Sequence, residues 1–421
     1  AQAILVSCDL RVIRPGVQEE FRRRVAEQLP GFDINKLFLA ATHTHSAPVT
    51  VQNQYDEKDY GDATQPKDYL PFLYERMAEA VVRAWESRAV GAMGFGLSHA
   101  VVGQNRRVVY ADGRAQMSFE TNDPQFRHIE GYEDHGVEIL CFYDDRRQLK
   151  ATAITLACPA QMSQGETVVS ADFWHDVREL LRARYGPELC VLGFCAPAGD
   201  QCPHLSYRKQ GETRMDQLRG RTRTQELGRR IAAAFFDVAE LIAQDIREDV
   251  PMVHLVRPVH LPTRTITDEE FAIARKVRDA IDAKAERSGW DVWVRRLYGG
   301  VCDRYEAQQR GQQDYTIELH VLRLGDVALA TNPFELYVDY GIQIQARSVA
   351  VQTILIQLAA TGPESSYYLP TPRAIAGGGL SETVMDNYSA TVMTNVVGPE
   401  GGQVLVERTL AAIGEVMASL P

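Results

Sequence analysis

His43-Thr44-His45 sets two imidazoles two residues apart, directly after the apolar run KLFLAA (residues 36–41). Side chains alternate along a strand, so continued extended geometry would point both rings to one side. Neutral imidazole is the commonest protein ligand for zinc and titrates near neutrality, so one histidine can hold a metal while its neighbour handles protons. Glu335, in ATNPFELY, follows a second apolar run and could complete a His/Glu ligand set. Taken singly, an ordinary polar loop explains the histidines and a helix-start carboxylate explains the glutamate. The signals gain weight together.

Such residues need strands to aim them. AILVSCDL reads as a buried strand, VQEEFRRRVAEQL as a helix from its apolar spacing, and KLFLAATHTHSAP as a second buried strand ending in a polar loop. This strand, helix, strand order predicts parallel pairing, with ligand sites off the carboxyl ends of the strands. A helix is expected from about Lys67 to Trp85, with AVGAMGFGLSHAVV, GVEILCFYD and ATAITLACP as further strands. WHDVRELLRARYG reads as an amphipathic helix stopped by Gly186, and LCVLGFCAPAGDQCP as a buried strand entering a Gly/Pro loop. Apolar strands therefore end in turn on His43, Cys158 and Asp200. The expected fold is α/β, with a mixed or mostly parallel central sheet flanked by helices.

Residues 204–314 differ in character: an Arg/Lys-rich polar loop leads into RTQELGRRIAAAFFDVAELIAQ and DEEFAIARKVRDAIDAKAE, which predicts a helical insertion near the site within one domain spanning 1–421. The strands resume in IELHVLRLGDVALATNPFEL, with LGD as a hairpin turn, and the chain closes on the helix GGQVLVERTLAAIGEVMASL.

The chain has 421 residues, 45% hydrophobic and 24% charged, the make-up of a globular protein with a large core. A net charge of −11, without Lys/Arg runs interleaved with aromatics, argues against nucleic acid as a partner. No apolar stretch is long enough to span a bilayer, and AQAILVSCDL is too short and polar for a signal peptide. Seven scattered cysteines do not form a disulfide framework, which favours a reducing, cytoplasmic location. Homo-oligomerisation is left open.

The motifs resemble, in order and over nearly the whole chain, the catalytic domain of the neutral ceramidase family of zinc-dependent amidases. ATHTHSAP (residues 41–48) is similar to that family's THTHSGP, GFCAPAGDQCP (193–203) to its GDVSP or GDVNP loop, NPFEL (332–336) to its PGE, and SYYLPT (366–371) to its YLPT stretch. The resemblance implies Zn2+ held by His43, Glu335 and Tyr368, with His45 and Arg106 (in QNRR) handling the substrate. Where the family has a zinc-binding His before Pro, this chain has Cys158-Pro159, followed by Asp172 at the family's spacing. Thiolate is a good zinc ligand, and its added negative charge would make the metal a weaker Lewis acid. His175 and His204 are the substitutes to consider for that position, and Asp200 is expected to shape the GD loop.

Two further positions depart from the family. Cys202 stands where a serine occurs in GDVSP, and Leu380, in GGGLSE, where a second tyrosine is common. Cys202 as a nucleophile would need a base and a depressed pKa. These departures, with the absence from these residues of the family's upstream strand and C-terminal immunoglobulin-like domain, point away from ceramide as the substrate. Three functions are consistent with the residues. One is zinc-dependent hydrolysis of an amide or ester, such as a lipid amide or another small molecule. Another is metal-dependent cleavage of a glycoside by hydrolysis or elimination, with Trp174, Trp290 and Trp293 as stacking platforms for a sugar or anionic substrate. The third is a degenerate binding protein.

Overall fold

Alternating burial along the strands builds the centre of the molecule. The computed structural model describes residues 1–52, 62–117, 120–312, 314–360, 362–363 and 367–419. Ser366, the first residue of the SYYLPT stretch, lies outside the described residues. The chain opens with β1 (Ile4–Cys8), α1 (Val17–Gln28) and β2 (Leu37–Ala41), and the two strands pair in parallel, as the strand, helix, strand order predicts. After α2 (Pro66–Glu86) come β3 (Ala92–His99), β4 (Gln104–Asn105), a small antiparallel sheet of β5 (Arg107–Tyr110), β6 (Ala115–Met117) and β7 (Phe126–Ile129), then β8 (Gly136–Tyr143) and β9 (Leu149–Leu156). Next follow α3 (Phe173–Tyr185), β10 (Cys190–Cys195), β11 (Gln201–Cys202), α4 (Lys209–Arg219), α5 (Arg223–Ile242) and β12 (Met252–Leu261).

The helices α6 (Asp268–Asp282) and α7 (Gly289–Gln309) precede β13 (Tyr315–Leu324), β14 (Val327–Thr331), β15 (Glu335–Leu336), α8 (Val338–Arg347) and β16 (Gln352–Ile356). The last elements are β17 (Tyr368–Leu369), α9 (Pro372–Ala376) and α10 (Gly401–Ala418).

Two four-stranded sheets, in the orders β10-β9-β8-β3 and β12-β13-β14-β16, form the frame. Both are mixed rather than mostly parallel: only β10/β9 and β14/β16 run parallel within them. The period-2 alternation of strands assigns each face its layer. Leu140, Ala153 and Phe194 from one sheet pack against Leu322, Leu329 and Ile354 from the other. The opposite faces carry helices: Ile139 and Ile154 meet Val177 and Ile231 of α3 and α5, while Leu319 and Val321 meet Leu405 and Ile413 of α10. The order of layers is helix, sheet, sheet, helix, an α/β architecture.

Residues 204–314 hold more than an inserted helical unit. α5 belongs to the helical layer, and β12 pairs along its whole length with β13. Only α6 and α7 stand apart, as a helical pair whose apolar face packs on Leu380, Val392 and Met393. Each begins with a capping box, Thr267 with Glu270 and Ser288 with Asp291, which satisfies two otherwise orphaned backbone N–H groups and fixes the helix start. Among the described residues, no helix is long and apolar enough to cross a membrane.

Candidate active site

Strand ends supply the site. Parallel β1 and β2 finish side by side, so Arg11 follows one end and His43 the other. His43 has φ 65°, a left-handed backbone that residues with a side chain adopt at a cost, and this kink takes its ring out of the strand direction. The following loop is tied down from outside: Thr44 Oγ1 donates to the Ser170 carbonyl at 2.6 Å, and Ser46 Oγ to the Ser163 carbonyl at 3.0 Å. Asp172 holds that partner loop by accepting from the Ser163 backbone N–H and hydroxyl, both at 2.7 Å.

Parallel β15 and β17 place Glu335 directly beside Tyr368. Gly199 makes this approach possible, because a Cβ there would lie 2.2 Å from the Glu335 carbonyl oxygen. Asp200 fastens the surroundings: its carboxylate accepts from Asn105 Nδ2 and the Val338 backbone N–H, each at 2.9 Å, and its carbonyl accepts from the Arg106 N–H. It therefore bridges the loop carrying Arg106 to the start of α8.

The buried side chains converge. His43 Nδ1 lies 2.6 Å from the Arg11 carbonyl, which assigns the ring proton to Nδ1 and leaves the Nε2 lone pair facing inward. That Nε2 is 3.2 Å from His45 Nε2 and 3.7 Å from Glu335 Oε2. Arg106 donates to the Tyr368 phenol oxygen at 3.3 Å and stands 3.7 Å from Glu335 Oε2.

Burial sets the protonation states. It lowers the pKa of His43, and lowers that of His45 further, where His43, Arg11, Arg106 and His204 add positive potential. Burial raises the Tyr368 phenol well above its ordinary value, with Glu335 acting in the same direction. Burial also opposes the charge on Arg106, but Tyr368, Cys202 and Glu335 together outweigh it.

A metal's demands can be compared with these donors. Tetrahedral zinc with bonds near 2.0–2.1 Å separates neighbouring ligand atoms by about 3.3 Å. The separation of 3.7 Å between His43 Nε2 and Glu335 Oε2 is too long for a hydrogen bond and close to that edge. Arg106 Nε is buried without a partner in the same place. Among the described residues, no three His, Cys, Asp or Glu side chains group as a cation site, so the set relies on the Tyr368 oxygen. With it, the donor chemistry fits zinc.

The remaining candidates lie around this centre. Cys158 is buried; its thiol donates to the Pro159 carbonyl at 3.5 Å and is pushed well above its ordinary pKa by burial, then by Cys195 and Cys202. Cys202 bonds the His204 carbonyl at 3.6 Å, and burial raises its thiol to about 11, the opposite of an activated nucleophile. His204 is half-buried near His45, whereas His175 is exposed on the first turn of α3, outside the buried cluster. Leu380 packs into the apolar contact beneath α6 and α7. Trp174 is a core residue, 1% exposed, so it offers no stacking face.

The aromatic residue beside the site is Tyr388, whose ring lies 5.8 Å from that of Tyr368 and 5.7 Å from that of Trp293. Sequence reasoning missed Tyr388, Arg11 and Arg296. Arg11 had a signal, its place at the carboxyl end of a strand parallel to that of His43; Tyr388 and Arg296 had none.

No protein-family model matches the chain, and no curated protein matches it. Solved structures do. The chain is similar to a ceramidase complexed with C2, at 15% identity and a TM-score of 0.66, over 100% of this chain and 68% of that one. It is also similar to the neutral ceramidase from Pseudomonas aeruginosa, at 17% identity and a TM-score of 0.64, over 98% of this chain and 66% of that one. The chain thus spans about two thirds of the length of each. At these identities the likeness is one of fold, and the fold of this chain is that of the neutral ceramidases.

Proposed function

We propose that the chain is a zinc-dependent hydrolase that cleaves an amide or ester bond in a substrate other than ceramide. The observation that carries this reading is the approach of His43 Nε2 to Glu335 Oε2 at 3.7 Å, with His45 Nε2 3.2 Å from the imidazole and Arg106 joining Glu335, at 3.7 Å, to the Tyr368 oxygen, at 3.3 Å. The likeness of fold to two ceramidase structures supports a bond of that type.

His43, Glu335 and Tyr368 would hold the metal. When bound, zinc lowers the pKa of a coordinated water towards neutrality and polarises a carbonyl oxygen. The residues of the chain do the rest. The Arg11 carbonyl keeps the His43 proton on Nδ1, so that Nε2 stays a lone-pair donor. Arg106, a buried guanidinium with an orphaned Nε, can donate to a substrate oxygen that gains charge as the carbonyl is attacked. His45 Nε2 can accept a proton from the attacking water and return it to the leaving amine or alcohol. Asp200 positions Arg106 through the backbone, its carbonyl accepting from the Arg106 N–H. Cys158 would join the ligand set only if metal binding displaced its thiol proton to solvent, against the burial that raises its pKa.

Cleavage of a glycosidic bond is a second reading, favoured by the rings of Trp290, Trp293 and Tyr388, which follow one another towards Tyr368. Both readings are tested by metal content per chain, measured by elemental analysis without chelators, together with rates on N-acyl and glycoside model substrates. About one zinc per chain and hydrolysis of the N-acyl substrate is the expected result. Zinc with glycoside cleavage alone would favour the second reading, and no zinc after supplementation would overturn both.

A further inference from the structure

The cavity outside Glu335 has the wrong sign for this protein. The chain carries a net charge of −11, yet a cavity of about 270 Å³ is lined by Arg11 and Arg296 together with Arg14 and Arg304, and among the described residues its acidic lining is Asp303 and Glu335. Arg11 and Arg296 are exposed, and among the described residues neither forms an ion pair. Both stand close enough to Tyr388 to act on its phenol, together with Arg106 and Glu335. Cations left without acidic partners in a concave, aromatic-lined space raise the local concentration of anions.

Aromatic rings continue from this cavity to solvent. Tyr368 leads to Tyr388 at 5.8 Å between ring centroids, Tyr388 to Trp293 at 5.7 Å, and Trp293 to Trp290 at 4.8 Å. Trp290 is 56% exposed. The rings are tilted or edge-on to one another, at 75°, 40° and 45° in turn, so together they form an aromatic wall rather than a stack. Such a wall suits a chain of sugar rings, each with an apolar face and polar rim. Two acyl chains would instead have to bury apolar surface against four guanidinium groups, which is costly. The helical pair thus supplies both features, since Trp290, Trp293, Arg296 and Arg304 all lie on α7.

We infer that the cavity beside Glu335 binds an anionic oligosaccharide, with Arg11 and Arg296 reading a carboxylate or sulfate and Trp293 and Tyr388 stacking on the sugar rings. The inference rests on the reading that this cavity is the substrate's route to the buried site. Arg11 links the two, because its backbone carbonyl orients His43 while its side chain faces the cavity.

The test is calorimetric binding to the full chain as purified, before and after chelator treatment. The probes are a hyaluronan tetrasaccharide (carboxylate only), a chondroitin 6-sulfate tetrasaccharide (carboxylate and sulfate) and N-acetylated chitotetraose (uncharged). The expected result is binding of the first two at least about tenfold tighter than the third, with a loss of about tenfold in Arg296→Gln and in Arg11→Gln and none in the distant, exposed Arg147→Gln. Equal affinity of the first two assigns the recognised group to the carboxylate, and tighter binding of the second assigns it to the sulfate. Equal binding of all three probes, binding of none, or capture of anionic phospholipid vesicles in their place would overturn the inference. Binding that survives chelation, in a protein without amidase or glycosidase activity, would uphold the anionic sugar site while removing the hydrolase reading.

Discussion

His43 and Arg11 are joined by a bond of 2.6 Å between an imidazole Nδ1 and a backbone carbonyl, and His43 carries a left-handed backbone, φ 65°, to make it. Strained backbone of this kind costs about 1–3 kcal/mol and persists only where its surroundings over-determine it. Here the loop is held by the Thr44 and Ser46 hydrogen bonds, and the result is an Nε2 lone pair aimed at Glu335. Orientation of one ring nitrogen by a bond to the other is what a metal ligand requires.

Removing one donor should therefore remove the metal. His43→Ala and Glu335→Gln are expected to bring zinc from about one per chain to near zero, while Cys158→Ser reports whether the thiol contributes. Elemental analysis after gel filtration checks this; undiminished zinc in Glu335→Gln would exclude that carboxylate as a ligand.

Arg106 meets Tyr368, the Gly199 carbonyl and Glu335 with one terminal nitrogen, and its Nε has no partner. Arg106→Lys is expected to keep the zinc and to lower kcat by about 10²–10³, the effect of losing one donor aimed at developing charge. Steady-state kinetics on an N-acyl substrate checks it, and a rise in KM with unchanged kcat would make Arg106 a binding group only.

Gly199→Ala tests the close approach that sets β15. The added Cβ would meet the Glu335 carbonyl oxygen at 2.2 Å, a backbone atom that cannot swing aside. A stability loss of about 1–3 kcal/mol in urea, accompanied by weaker zinc retention, is expected. Stability lost without any change in zinc retention would uncouple the glycine from the site.

A second buried network predicts acid sensitivity. His254 bonds the Gln2 carbonyl at 3.0 Å and His320 at 3.1 Å, and His320 bonds Glu318 at 2.8 Å. Burial pushes His254 down to about 4. Burial acts to raise Glu318, but hydrogen bonds from His320 and Arg22 outweigh it and bring that carboxyl down to about 2. Both folded values lie below the unfolded ones, so the unfolded chain binds more protons as pH falls. The His254 contribution is complete above about pH 6.5 and drains away towards pH 4, while that of Glu318 is complete above about 4.5 and drains towards 2. Urea midpoints at pH 7 and pH 5 should fall by less in His254→Gln than in the wild type; an identical fall would assign the sensitivity elsewhere.

Part of the candidate site was legible in the sequence because His43, His45 and Glu335 follow apolar strands, whose ends face one edge of an α/β sheet, whereas Arg106 and Tyr368 were implied only by the family resemblance. His43, His45, Glu335, Tyr368 and Arg106 do meet, although they come from four separated segments. Local pattern also determined the parallel pairing of β1 with β2 and the helices α2, α3, α5 and α6, since period and caps are read within a few residues. Tertiary structure alone decided the rest. The exposure of His175 and the burial of Trp174 depend on which face of α3 meets the sheet. The place of β12 at the edge of the second sheet depends on its partner β13, beyond two intervening helices. The positive cavity could not be read at all: Arg11 and Arg296 are far apart along the chain, ordinary solvated arginines until folding brings both beside Tyr388 and leaves them without acidic partners among the described residues. Charge recognition depends on distance in space, and the sequence records only distance along the chain.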